Sequence, residues 1–347
     1  MRSPVKVLHV ANLSMTPKGA GYFGVPFKLT NGLVRAGCHV MNFSDRDVAR
    51  SSTIFRSRKF GVPGANRKLL EVAAKFVPDM ILFGHADTIY PETLATLRAA
   101  LPHVKLVQWN VDPLFEADNV ARINEKISHV DYTFVSTAGE SLEALGQGKY
   151  PVAFLPNPVD PSIERARNFD QPRDALPFDV FFAAGNPNLQ RSHAGVTGPV
   201  SELVARLRAG CPTCRFSTPG CGSPTVSGRD FEAALNGGAM GLNISRRNDV
   251  YLYSSDRLAQ MAGSGMLVFL DRGTGYGDVF DEDSFAFYST ETELFEKLEF
   301  YRADDAARRD VARRGWEAYR RVFDCGVVAS YLVSVVFGGA DAKVHGW

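Results

Sequence analysis

The sequence predicts an α/β protein built from two doubly wound domains, and three observations lead there. Short apolar, β-branched runs alternate with segments whose apolar residues recur at helical spacing, the pattern of parallel strands joined by crossover helices. At 347 residues the chain is long enough for two domains of ordinary size. Five prolines and many charges crowd residues 156–177, interrupting the rhythm near mid-chain with the composition of a linker. The expected division is therefore a first domain over 1–156, a linker over 157–177, a second domain over 178–325 and a C-terminal helix over 326–347.

The elements follow in order. Residues 5–11 read as a buried first strand, followed by a polar, glycine-rich loop over 12–24. Phe27, Leu29, Leu33 and Val34 give residues 25–36 a helical stripe, and Gly37 stands where a C-cap glycine belongs. Residues 39–43 are a second strand, ending at Ser44-Asp45-Arg46-Asp47. Helices are predicted over 69–76, 91–100 and 139–145, and strands over 80–83, 105–109, 132–136 and 152–155. After the proline-rich segment come strand 180–184, helix 200–208, strand 215–218, helix 229–236 and strand 241–244. A loop, a short helix over 255–263, a buried strand over 266–270 and a glycine-rich turn fill 248–282, with a further helix beginning there. Residues 292–301 and 305–322 are helices with charged outer faces, and 327–337 is a last apolar helix. Two similar-sized α/β domains imply a cleft between them, a favoured ligand site.

Composition narrows the function. A hydrophobic content of 45% and a charged content of 22% describe a soluble globular protein. The net charge of +1 gives no global electrostatic case for nucleic acid or an anionic membrane as a partner. A local basic cluster, Arg56, Arg58, Lys59, Arg67 and Lys68, reads as a solvated face. No leader-like apolar core opens the sequence, and residues 326–337 form too short an apolar run to span a bilayer. Together with an odd number of cysteines, five, this predicts a cytoplasmic protein with reduced thiols.

Several motifs compete for the chemistry. Gly19-x-Gly21-x-x-Gly24, with Asp45 further on, matches the dinucleotide fingerprint by letter, but seven residues separate the strand from the first glycine, too many for its tight turn. A flexible loop approaching a substrate fits better. Cys211-x-x-Cys214 with Cys221 lacks a fourth zinc ligand nearby and reads as packed thiols. His85 and Asp87 after the third strand, and Asp112 after the fourth, lie at a sheet's carboxyl edge, where each either serves as a general base for an incoming hydroxyl or binds an acceptor sugar, or else is a helix cap or turn residue. Arg191, Arg246 and Arg247 lie near strand ends of the second domain, suited to a diphosphate. Around 248–282, helix N-termini and a glycine turn converge beside one strand's carboxyl end, a place for phosphorylated ligands. Arg257, in the first turn of its helix, opposes the macrodipole, which points to a specific partner, either a carboxylate such as Asp256 or a ligand phosphate.

With these residues in hand, the chain resembles the GT-B glycosyltransferases, in particular the glycosyltransferase group 1 / CgeB-like branch. The resemblance is carried by residues 231–323: GLNIS at 241–245, Ser255-Asp256-Arg257-x-x-Gln260-x-x-x-x-Gly265, the glycine turn at 273–277 with Val279-Phe280, and Ala312-x-x-Gly315. It implies two Rossmann-like domains facing across a cleft, the first taking the acceptor and the second a nucleoside-diphosphate sugar of UDP or GDP type. The reaction implied is metal-independent sugar transfer to a hydroxyl of a glycan or lipid-linked acceptor in cell-envelope polysaccharide or lipopolysaccharide assembly. No cofactor is expected beyond the donor, and peripheral contact with the cytoplasmic face of the inner membrane is. The implied donor residues are Arg191, Arg246, Arg247, Ser254, Ser255, Asp256, Arg257, Gln260, Gly273 and Gly275. The family's ribose-binding glutamate corresponds here to Gln260, an amide that still donates and accepts, with Asp256 one turn earlier on the same face. Asp249 is a stand-in for the first acid of the family's longer motif. The rival readings are a GT-B epimerase and a non-catalytic sugar-nucleotide binder.

Overall fold

The computed structural model describes residues 4–15 and 21–338. By their contacts these form two compact units, one holding the described residues up to Pro158 together with those from Cys325 onward, the other Val159–Asp324.

The first unit opens with β1 (Lys6–Ala11), α1 (Val25–Arg35), β2 (His39–Ser44), α2 (Asp45–Ser51), α3 (Arg58–Phe76) and β3 (Met80–Gly84). It continues through α4 (Pro91–Ala100), β4 (Lys105–Asn110), α5 (Ala117–Ile127), β5 (Tyr132–Val135), α6 (Glu140–Gly146) and β6 (Val152–Phe154). All six strands are parallel, in the order β2-β1-β3-β4-β5-β6. The winding reverses between β1 and β3, so their carboxyl ends flank a switch point, the usual place for a ligand in such sheets. β3 is buried along its whole length, as a strand covered on both faces must be. Gly37 closes α1 in the left-handed region, with its N–H on Val34 O and the Cys38 N–H on Leu33 O, which satisfies the terminal carbonyls.

The second unit runs β7 (Phe178–Phe181), β8 (Gln190–His193), β9 (Val196–Pro199), α7 (Val200–Gly210), β10 (Phe216–Ser217), α8 (Arg229–Asn236), β11 (Gly238–Asn243), α9 (Arg257–Gly263), β12 (Leu267–Asp271), β13 (Ala286–Tyr288), α10 (Glu291–Ala303) and α11 (Asp305–Phe323). Its main sheet is parallel in the order β10-β7-β11-β12-β13, which puts a second switch point between β7 and β11. The last helix, α12 (Cys325–Gly338), returns to the first unit, where it packs along α1 and sets Tyr331 edge-on to Phe134. No helix among the described residues is long and apolar enough to cross a membrane.

Five expectations need correction. Residues 45–51 are helical, not a strand-end loop, and α5 was not foreseen. The helix foreseen over 69–76 starts at Arg58 and carries Pro63 in its interior, because packing of α3 on α2 overrides the local Gly/Pro signal. The hairpin β8–β9 was missed; its turn residues, Ala194 and Gly195, both have positive φ. The segment read as a linker is largely part of the second unit's core. The Asn168 side chain donates to Leu235 O and Gly238 O, Phe169 is buried edge-on to Trp316, and Arg308 and Arg309 donate to carbonyls of residues 168–171. Prolines there shape a packed excursion, not a flexible tether.

Candidate functional site

The second unit's switch point is built around two arginines. Arg257, first residue of α9, sends Nη1 to Ala183 O just beyond β7 (2.5 Å) and Nη2 to Ile244 O just beyond β11 (3.2 Å), while Nε donates to Ser255 Oγ (3.1 Å). Arg191, on β8, is buried and donates Nη1 to the same Ile244 carbonyl at 3.0 Å, leaving its Nε without a partner. The charged neighbours of these guanidinium groups are other arginines, not carboxylates. Burial, and then the charge of Arg191, push Arg257 down to about 9; burial lowers Arg191 too, with Arg246 adding to it. A buried guanidinium, Arg191, and a half-buried one, Arg257, held by carbonyls and without a carboxylate partner among the described residues, make a candidate site for an anion. The expected carboxylate partner for Arg257, Asp256, is therefore not what holds it.

Beneath the arginines, the carboxyl end of β11 carries further unmet polarity. Asn243 has both side-chain polar atoms buried without a partner, and Ser245 Oγ is likewise unpartnered. Buried polar atoms are nearly always bonded, so these three orphaned atoms, with Arg191 Nε as a fourth, mark where a ligand or water belongs. The GLNIS stretch pointed to this region, but the individual roles of Asn243 and Ser245 were not legible in it. An open hollow lined by Ala183, Gly185, Pro219, Thr225, Phe231 and Arg257 lies alongside.

The remaining donor candidates divide. Asp256 stands at the helix start without a side-chain capping bond; its Oδ2 instead accepts from Gln260 Nε2 at 2.9 Å, so the two share one face as foreseen. Ser255 supports Arg257. Ser254 is turned into the core, with its hydroxyl against Tyr276 Oη at 2.8 Å, so it is a packing residue. Arg247 is exposed and held bidentately by Asp249, a pair that occupies both the proposed phosphate ligand and the proposed stand-in acid. Arg246 is half-buried, near Arg191.

Gly273 and Gly275 serve loop geometry. Gly275 has φ +77°, and a Cβ there would stand 2.4 Å from the Tyr251 ring. The organiser of this corner is Asp271, a residue not singled out from sequence. Its Oδ1 accepts from the Gly273 N–H, and its Oδ2 from Ala194 N–H and Asn248 Nδ2. One buried carboxylate thus pins the β8–β9 hairpin, the 248–251 loop and the glycine turn together. The helix expected after the turn is two short 3₁₀ turns.

In the first unit, His85 follows β3 at the switch point. It and Ala86 both take left-handed backbone (φ 52° and 42°), a strain that clusters at functional sites. Asp112 Oδ2 lies 3.5 Å from His85 Nδ1 and 3.2 Å from Arg122 Nη2. Burial lowers the His85 pKa, with Asp112 opposing, so the ring is neutral near pH 7. Its Nε2 has no partner among the described residues. A carboxylate 3.5 Å from Nδ1, with Nε2 left without a partner among the described residues, is an arrangement a general base can use. Asp87 is different. Arg46 grips it bidentately at 2.9 and 3.1 Å, with Arg58 at 3.8 Å; burial works against its charge, but the arginines take its pKa below the usual value. A carboxylate so held is a poor base.

Asp45 is fully buried as the first residue of α2 and accepts from Thr88 Oγ1, unavailable to a ribose. Gly19 of the fingerprint lies outside the described residues. Cys211 and Cys214 come together with Glu299, but Glu299 already accepts from Thr213 and Arg302, which closes the cluster as a packed one.

The comparisons with known proteins bear on this geometry. The profile of the family described as glycosyl transferase-like matches residues 191–334, from Arg191 through α9 into α12. No curated protein matches the sequence. Among solved structures, HepE of Anabaena in complex with UDP and glucose superimposes with a TM-score of 0.60 at 12% identity, over 97% of this chain and 100% of that one. This chain has the GT-B fold. A glycosyl transferase-like domain occupies residues 191–334 of it. An E. coli structure described as trehalose-6-phosphate bound with UDP-2-fluoro glucose gives TM-score 0.56 at 9% identity, over 95% of this chain and 98% of that one. A Listeria monocytogenes protein assigned as a UDP-N-acetylglucosamine 2-epimerase gives 0.51 at 12%, over 99% of each.

Proposed function

We propose that this GT-B protein is a glycosyltransferase that moves a sugar from a UDP-sugar to a hydroxyl of a glycan or lipid-linked acceptor. The observation that carries the reading is the pair of arginines, buried Arg191 and half-buried Arg257, without a carboxylate partner among the described residues, at the β7/β11 switch point of the glycosyl transferase-like domain. Their charge suits the diphosphate, and it remains useful as the diphosphate departs, since preorganised cations stabilise charge that develops in the transition state. Asn243 and Ser245 offer further donors and acceptors below them. Gln260 and Asp256 take the ribose hydroxyls. UDP is preferred over GDP because HepE and the E. coli structure are described with UDP or a UDP-sugar.

The first unit takes the acceptor, with His85 as the base that receives the acceptor proton on Nε2 while Asp112 orients the ring. This assigns an inverting course, in which a base on the acceptor hydroxyl is needed. The finer placement in the CgeB-like branch, work in cell-envelope polysaccharide assembly and a location at the cytoplasmic face of the inner membrane rest on the motif resemblance.

Calorimetric titration with UDP and GDP tests the donor site. UDP is expected to bind at millimolar affinity or better and GDP more weakly; if neither binds, and no nucleotide sugar does, the transferase reading fails. The epimerase alternative is favoured by the Listeria similarity alone. Incubation with UDP-N-acetylglucosamine and no acceptor separates the two, because an epimer would form only under the alternative.

A further inference from the structure

Between α2 and α3 the chain makes a tight hairpin whose tip is apolar and bare. Ile54 is 96% exposed, Phe55 88% and, one turn into α3, Phe60 73%. Large apolar side chains this exposed and this close together are what an interaction surface looks like. The tip is rigidly built. The Ser57 N–H donates to Thr53 Oγ1 at 3.0 Å and the Arg56 N–H to Thr53 O at 3.1 Å, with Arg56 at φ 51°. Ser57 Oγ then caps α3 at the Phe60 N–H. Behind the tip the two helices touch backbone to backbone, since a Cβ on Gly61 would stand 1.7 Å from Ala49 O. Nothing can fold back into that seam, so Ile54 and Phe55 point outward.

The charge around the tip has one sign. From Ser51 to Leu70 the sequence holds five bases, Arg56, Arg58, Lys59, Arg67 and Lys68, and no acid. Arg56 and Lys59 have no carboxylate partner among the described residues, and Arg58 shares Asp87 only at 3.8 Å. Arg58 and Lys59 also occupy the first turn of α3, which contains no acid, where cations oppose the helix dipole. Their placement serves something other than the helix, and an anionic partner would relieve it.

We propose that the α2–α3 tip is a docking wedge for an anionic lipid surface. Ile54, Phe55 and Phe60 enter the headgroup boundary, and Arg56, Arg58, Lys59, Arg67 and Lys68 meet the lipid charges. A bilayer fits better than an acidic protein because the tip is convex and its side chains stand almost free. A fluid interface accepts such a wedge without a matching pocket, whereas a protein partner would need one. The proposal gives the lipid-linked acceptor reading a surface, but it stands on the exposed tip and not on the donor site.

Sedimentation of the full chain with vesicles of phosphatidylcholine, with and without phosphatidylglycerol, tests it in the absence of nucleotide. Binding is expected only to the phosphatidylglycerol vesicles, weakening as salt is raised. I54S/F55S should reduce it about tenfold or more, from the loss of two inserted side chains. R56E/K59E should reduce it as strongly and flatten the salt dependence. Both double variants should unfold at the parental temperature and titrate UDP like the parent, which separates this outcome from failure of the donor site. No binding by the parent, undiminished binding by both variants, or equal binding to neutral vesicles overturns the proposal; so does tip-dependent capture of an acidic polypeptide without vesicle binding.

Discussion

Replacing Arg257 by methionine should move stability and affinity in opposite directions. The guanidinium is pushed down to about 9 by burial and by Arg191, well below its ordinary value. A base with a lowered folded-state pKa is disfavoured in its charged form. The cost is therefore present at every pH below about 9 and is relieved as pH rises beyond it toward the unfolded-state value. The gap of about 3.5 pH units is worth roughly 5 kcal/mol at most. Against it stand three hydrogen bonds, to Ala183 O, Ile244 O and Ser255 Oγ, at about 1 kcal/mol each. R257M should leave the ligand-free protein as stable as the parent or up to about 2 kcal/mol more stable, since methionine keeps contact with Phe182. UDP affinity should fall about 10- to 100-fold, the scale of one lost bond to a charged group. In the parent, affinity should decline as pH rises through about 9, where Arg257 loses its proton, and this decline should vanish in R257M. Urea unfolding and calorimetry at pH 7.5 and 10 measure all three. A variant destabilised by more than about 2 kcal/mol with unchanged UDP affinity would show that Arg257 is a structural clamp and that the anion site lies elsewhere.

Two further outcomes are expected. D256A and Q260A should each weaken UDP binding by at least about 1 kcal/mol, measured by calorimetry; unchanged affinity in both would remove them from the ribose site. If His85 is the base, the transfer rate should fall along an acid limb whose pKa lies below 6.5, because burial keeps the ring neutral in the folded protein. H85N should lower kcat about 100-fold or more and abolish that limb, while a turn role for His85 would change stability and leave the pH profile in place.

The sequence by itself determined the class of fold and most of its strands. Parallel strands covered on both faces must be continuous apolar runs, and the runs at 5–11, 80–83 and 266–270 mark β1, β3 and β12 almost to the residue. It also pointed to 248–282 as a candidate ligand region, and it showed that Asp256 and Gln260 share a face, since helical spacing alone sets that neighbourhood.

The tertiary structure decided which residues remain available there. Arg247 and Arg191 look equivalent in sequence, but Asp249, two residues on, neutralises Arg247, while Arg191 is buried on the Ile244 carbonyl with no carboxylate partner among the described residues. Ser254 and Ser255 are adjacent, yet one faces the core and the other braces Arg257. Asp271 attracted no notice because its three backbone and side-chain partners lie as far as 77 residues away in sequence. Residues 156–177 read as a tether because proline composition reports local stiffness, whereas burial of Phe169 and the bonds from Arg308 and Arg309 come from 140 residues downstream. Local pattern is set by backbone geometry and period. Charge compensation and burial are set by what the fold brings within a few ångströms, and at this site they separate the residues left open to an anion from those already satisfied.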